Sequence, residues 1–89
     1  MSTELSNVPR IQSVVVFEPM QLNIVFENGI EKNYDLRQLA GHERFTPLFR
    51  DPSFVKSVKI DPGGYGISWD DNIDLSENEL WTHGVEHAS

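Results

Sequence analysis

Two histidines near the carboxyl end, His83 and His87, stand four residues apart with Glu86 between them. On a helix that spacing puts two imidazoles on one face, an arrangement zinc uses. Gly84 weakens the helix, the segment reads as a tail, and no third ligand lies close in sequence, so a metal site is not expected. Asp70-x-Asn72-x-Asp74 matches the opening ligand positions of a calcium loop. The pattern then fails: Leu75 stands where the loop needs glycine, and Trp81 where it needs a bidentate glutamate. A polar turn leading into a helix is the expectation there. Gly63-Gly64-Tyr65-Gly66 offers backbone amides to a phosphate, but it sits in a hairpin loop with no phosphate-binding lysine after it. His42-Glu43 has the types for an acid–base pair and reads as an exposed loop pair. No cysteine occurs in the 89 residues, which rules out disulfides, thiolate metal sites and a thiol nucleophile. The expectation is a non-enzymatic protein with no catalytic residues, no cofactor and no metal.

Charge narrows the partners. Seven Lys and Arg face fourteen Asp and Glu, for a net charge of −7. Nucleic acid is bound through phosphate neutralisation by basic side chains, and anionic membranes attract the same residues, so neither is an expected partner. The charge is uneven. From Asp70 onward there are six acids and no Lys or Arg, while Arg37, Arg44, Arg50, Lys56 and Lys59 lie mid-chain. An acidic end steers a basic protein towards itself. The candidate protein interface is therefore Asp70, Asp71, Asp74, Glu77, Glu79 and Trp81, the last being an aromatic of the kind that anchors interfaces. The longest apolar run, Val14-Val15-Val16-Phe17, is too short to span a bilayer. No basic segment followed by an apolar run opens the chain, and a cytoplasmic location is expected.

These residues need elements to hold them. Ile11 to Glu18 is rich in β-branched residues and predicts a strand, with a break at Pro19-Met20. Gln21 to Phe26 alternates, apart from Val25, and Ile30 to Tyr34 resumes the alternation after Glu27-Asn28-Gly29. A two-residue turn would set Phe26 against Glu31. A three-residue turn with Gly29 left-handed sets Phe26 against Ile30, Ile24 against Lys32 and Leu22 against Tyr34, gathering the large side chains on one face. Asp35 and Gln38 form a capping pattern with Tyr34 and Leu39 as its staple. His42 to Phe49 reads as irregular, anchored by Phe45, Leu48 and Phe49. Asp51-Pro52 opens a short helix. A second hairpin pairs Ile60 with Ile67 across Asp61-Pro62-Gly63-Gly64. Asp70-Asp71-Asn72 is a turn, and Ser76 with Glu79 caps a last short helix that holds Trp81. The fold class is α+β: a small antiparallel β-hairpin sheet with short helical segments. Residues 1–10 and 82–89 are expected to be flexible, and residues 11–81 to be one domain whose small core leans on a partner or on self-association. The valine-rich first strand is the expected edge for a homodimer.

The ordered set Leu22-x-Ile24-x-Phe26-x-Asn28-Gly29, Tyr34-Asp35-Leu36, Phe45-x-x-Leu48, Asp51-x-x-Phe54-x-x-Val58-x-Ile60-Asp61, Gly66-Ile67-x-Trp69 and Ile73-Asp74-Leu75-Ser76-x-x-x-Leu80-Trp81 resembles the small bacterial family called domain of unknown function 2442. The likeness covers about residues 11 to 81. It implies a compact α+β unit of hairpins and short helices. Some relatives carry a helix-turn-helix after this unit, and the residues after Leu75 are too few to hold one. Stand-alone members look like one half of a toxin–antitoxin pair, so the resemblance implies an antitoxin-like protein-interaction module. It supplies no catalytic or binding residues. The alternative function is a small-ligand or metal-binding regulatory domain.

Overall fold

A computed structural model describes residues 8–17 and 20–86. In chain order the strands and helices are β1 (Ile11–Phe17), β2 (Gln21–Phe26), β3 (Glu31–Asp35), α1 (Thr46–Arg50), α2 (Pro52–Val55), β4 (Lys59–Ile60), β5 (Gly66–Asp70), β6 (Ile73–Ser76), α3 (Glu77–His83) and β7 (Val85–Glu86), with 3-10 turns at Leu36–Leu39, Glu43–Phe45 and Pro62–Gly64. They form two antiparallel sheets, one in the order β1-β2-β3-β7 and one in the order β4-β5-β6. The expected α+β class holds.

The β2–β3 hairpin has the bulged turn. Phe26 N–H donates to the Ile30 carbonyl and Gly29 N–H to the Phe26 carbonyl, both at 2.9 Å. Gly29 has φ +91°, a left-handed conformation that suits glycine. Leu22 then faces Tyr34 and Ile24 faces Lys32, as the side-chain pattern requires. Leu22, Ile24, Phe26 and Tyr34 are fully buried. Lys32, on the same face, runs its stem over the Trp81 ring with Nζ 3.9 Å from the centroid, and donates to the Trp81 carbonyl.

The second sheet closes over the same core. Ile60 pairs with Ile67, and Ile67 with Leu75. Trp69 is buried and donates its indole N–H to the Val55 carbonyl at 2.9 Å, joining β5 to the end of α2. Leu36, Leu39, Phe45, Leu48 and Val55 fill the space between the sheets, and Leu80 enters from α3. Asp51 accepts the Ser53 N–H and Pro52 opens α2, as its sequence pattern predicts.

Four features depart from the sequence expectations. Residues 42–49 are ordered turns, with Thr46–Arg50 helical because Pro47 sits in the first turn, where its missing N–H costs nothing. Phe49 does not anchor the core with Phe45 and Leu48; it is 40% exposed. Ile73–Ser76 is a strand pairing with β5 rather than a lead-in to the helix. Order does not stop at residue 81: α3 runs to His83, and Val85–Glu86 pair with Asn33 and Lys32 of β3. The expected flexibility of residues 1–7 and 87–89, and the break at Pro19 with Glu18 before it, lie outside the described residues.

Candidate interaction surfaces

The acidic residues are positioned by the β5–β6 hairpin and α3. Asp70 and Asp71 are exposed at the hairpin turn, where Asp70 Oδ1 accepts the Asn72 N–H at 2.8 Å. Asp74, exposed on β6, takes Arg44 Nη2 at 2.6 Å, while Arg44 Nε donates to the Asn72 carbonyl at 3.0 Å. Ser76 caps α3 by accepting the Glu79 N–H. The Glu79 carboxylate does not return to complete the box. It accepts the Tyr34 hydroxyl at 2.7 Å and approaches His83 Nδ1 at 3.2 Å, because the fold brings the buried tyrosine beneath it. Burial pushes the Tyr34 hydroxyl up, and the hydrogen bond to Glu79 and its charge push it further, so Tyr34 stays a neutral donor. Trp81 is half-buried, set edge-on to Phe26 at 5.0 Å and covered by Lys32. Of the six residues, Asp74, Glu79 and Trp81 are thus engaged within the chain. Asp70 and Asp71 lie at one end of β6 and Glu77 at the other.

The other candidate chemistry is also absorbed. In the calcium-like pattern Asp70 holds a turn and Asp74 holds an arginine. Among the described residues no group of three or more His, Asp or Glu comes together to hold a metal ion. His87 lies outside the described residues, and its spacing partner His83 is beside Glu79. In the glycine segment a side chain on Gly64 would meet the Ile11 carbonyl at 2.8 Å. Arg10 stacks on Tyr65 at 3.9 Å and donates to the Gly63 carbonyl, so this loop is packed against the start of β1. His42 meets the Phe45 ring edge-on, 6.4 Å between centroids. A groove of about 510 Å³ runs between His42, Arg44 and Phe45 on one side and Asp74, Ser76 and Glu79 on the other. Its charged walls include the Arg44–Asp74 pair and the Tyr34-bound Glu79.

A second surface was not anticipated. The first sheet buries one face and, among the described residues, leaves the other open. On the open face β1 places Ser13, Val15 and Phe17 against Val25, Asn23 and Gln21 of β2. Val15 is 55% exposed, Phe17 37% and Val85, opposite Asn33 on β7, 71%. Beside these apolar groups Asn23 Nδ2 donates to Asn33 Oδ1 at 3.2 Å and Glu31 Oε1 at 3.4 Å. Val15, Phe17, Asn23, Glu31 and Asn33 line a shallow hollow of about 430 Å³. Such a surface can take an apolar side chain beside a hydrogen-bonding polar group. The sequence signal was present: an antiparallel strand with one wet face should alternate, and Val14-Val15-Val16-Phe17 and Val25 do not.

A family model described as a protein of unknown function (DUF2442) matches residues 11–86. The chain belongs to this family. The DUF2442 match ends at Glu86, the last residue of β7, so the family unit contains both sheets and α3. No curated protein and no solved structure matches the chain. Among the described residues no helix of this DUF2442 protein is long and apolar enough to cross a membrane.

Proposed function

We propose that this DUF2442 chain is a non-enzymatic protein-interaction module that binds a basic protein through the open face of its first sheet. The supporting observation is the exposed apolar pair Val15 and Phe17 on the open sheet face, with Val85 exposed on the far side of Asn23 and Asn33. Contiguous exposed apolar surface beside polar groups marks contact sites. The sign of the partner follows from the net charge of −7 and from Glu31 at the margin of the hollow. The setting we propose is a bacterial cytoplasm, with the protein as the antitoxin-like member of a two-protein operon. Asp70, Asp71 and Glu77 then act at longer range, raising the rate of encounter more than the final affinity.

The test is capture of a stoichiometric partner on tagged protein, washed at low and high salt, compared across two variants. Val15→Ser with Phe17→Ser should abolish capture. Asp70→Asn with Asp71→Asn and Glu77→Gln should retain it with a flatter salt dependence. Capture that survives the first variant and fails with the second would move the site to the acidic end. A thermal-shift response to zinc, calcium or a nucleotide would instead favour a ligand-binding regulatory domain.

A further inference from the structure

The hollow on the open face of the first sheet has an apolar end and an acidic end, and strand register fixes where they are. Val15 pairs with Asn23 and Asn23 with Asn33, so these side chains form one row across the sheet. Phe17, Gln21 and Asp35 form the next row on the same face, and Ser13, Val25 and Glu31 the row on the other side. The rows of Phe17 and Glu31 are therefore roughly 14 Å apart along the strands, the span from Glu31 to Asp35 on β3. Val15 and Phe17 make the apolar end, and Glu31 makes the acidic end, diagonally across the amides of Asn23 and Asn33.

The two acids of this face are held differently. Asp35 is bound by Arg37 through Nε at 3.0 Å and Nη2 at 2.8 Å. Glu31 takes part in no ion pair among the described residues. Its neighbour Lys32 lies on the buried face, committed to Trp81. Glu31 Oε1 receives one long amide bond, from Asn23 Nδ2 at 3.4 Å, and that amide also donates to Asn33 Oδ1 at 3.2 Å. Glu31 Oε2 and Asn23 Oδ1 accept no hydrogen bond from the described residues. Both belong to residues that line the hollow.

We propose that the hollow receives an apolar side chain and an arginine from one segment of a basic partner protein, the apolar group on Val15 and Phe17 and the guanidinium at Glu31. The inference rests on the proposed use of this face and names the chemistry that the face selects. The span between its ends suits two side chains rather than one. Same-side positions on a strand are roughly 7 Å apart, so an extended segment with the two residues two positions apart lays the first on Val15 and carries the second to Glu31. Arginine suits the acidic end better than lysine. Its planar fork gives two N–H groups to a carboxylate and keeps others for an amide oxygen such as Asn23 Oδ1. It is also more weakly hydrated than an ammonium, which lowers the cost of seating it beside Val15. The chain's net charge of −7 favours its approach.

The test uses a blocked tripeptide of leucine, threonine and arginine, which when extended projects leucine and arginine from one side. Two companions replace arginine by lysine or by citrulline, which keeps the shape without the charge. In an NMR titration the arginine peptide should give saturable shifts at Val15, Phe17 and the side-chain amides of Asn23 and Asn33, with none at Asp70, Asp71 or Glu77. Lysine should weaken binding about twofold and citrulline about fivefold, with the differences shrinking in high salt. Glu31→Gln, at an exposed position, should keep the circular dichroism spectrum and make the arginine and citrulline peptides equal, while the shifts at Val15 persist. Val85→Ser, beyond Asn33 and outside the hollow, should change nothing. Equal binding of the arginine and citrulline peptides to the unmodified chain, or an arginine preference that survives Glu31→Gln, overturns the arginine seat. The proposed face stands in either case if the shifts stay at Val15 and Phe17. Absence of any saturable shift also overturns the inference, while partner capture that is lost in Val15→Ser with Phe17→Ser would still uphold the face.

Discussion

The two sheets share one core and treat their outer faces in opposite ways. On the second sheet the outward positions carry Lys59, Ser68 and Asp74 in register. Ser68 donates to Asp61 at 2.7 Å, and Asp74 is held by Arg44. That face is polar and internally satisfied. The first sheet turns Val15, Phe17 and Val25 outward from two adjacent strands. Both sheets are equally dry inside, with Ile24 and Ile67 fully buried. The contrast therefore reflects what each outer face meets rather than how well each sheet is packed.

The sharpest way to break the comparison is to make inner and outer substitutions in the same sheet. Ile24→Ala removes a fully buried side chain and should cost about 2–5 kcal/mol in denaturant unfolding. Val15→Ala, one strand away on the open face, should cost less than ~1 kcal/mol at protein concentrations where the chain is a monomer. Comparable losses would mean that the open face is already packed. Next, Trp69→Phe leaves the Val55 carbonyl without its indole donor and should cost about 1–3 kcal/mol. Tyr34→Phe cuts the hydrogen bond from the first sheet to α3 and should cost roughly 1 kcal/mol. It should also release the α3 amides to faster hydrogen exchange before those of β5. The smallest effect is expected on the outer polar face: Arg44→Ala removes an exposed ion pair and should change stability by under ~1 kcal/mol, less in high salt.

One pH effect is specific to the first sheet. The bond from the Arg37 side chain lowers the Asp35 carboxyl to about 2 from an ordinary value of 3.8. A lowered folded-state value means that the ionised form is favoured by folding, so this contribution is present above about pH 4 and is lost as pH falls through about 2. In an NMR titration of the side-chain carboxyl, Arg37→Ala should return Asp35 towards its ordinary value. An unchanged midpoint would remove the arginine from the account.

What the sequence showed and hid follows the range of the interactions. The bulged β2–β3 turn was legible because Phe26, Ile30 and Gly29 decide it among themselves. The caps at Asp35, Asp51 and Ser76 were legible for the same reason. The strand at β7 was hidden because two residues pair only with β3, distant in sequence. Strand β6 was hidden because Ile73-Asp74-Leu75-Ser76 is short and runs straight into a helix cap. The acidic interface was read from charge alone. Charge does not reveal that Asp74 meets Arg44 or that Glu79 meets Tyr34, since those partners come from other elements. The open face left a local trace in Val25, which was read only as an exception to the alternation, and in the unbroken valines of β1, which were read as strand propensity and as a sheet edge rather than as an exposed face.

The short strand β7 has a consequence for aggregation. It occupies part of the β3 edge, and being only two residues long it offers almost no template of its own. At Lys32 and Asn33 the β3 edge is therefore closed to an incoming strand, and at the opposite margin β4 comes close to β1, so neither margin of the first sheet is a long bare template for fibre growth.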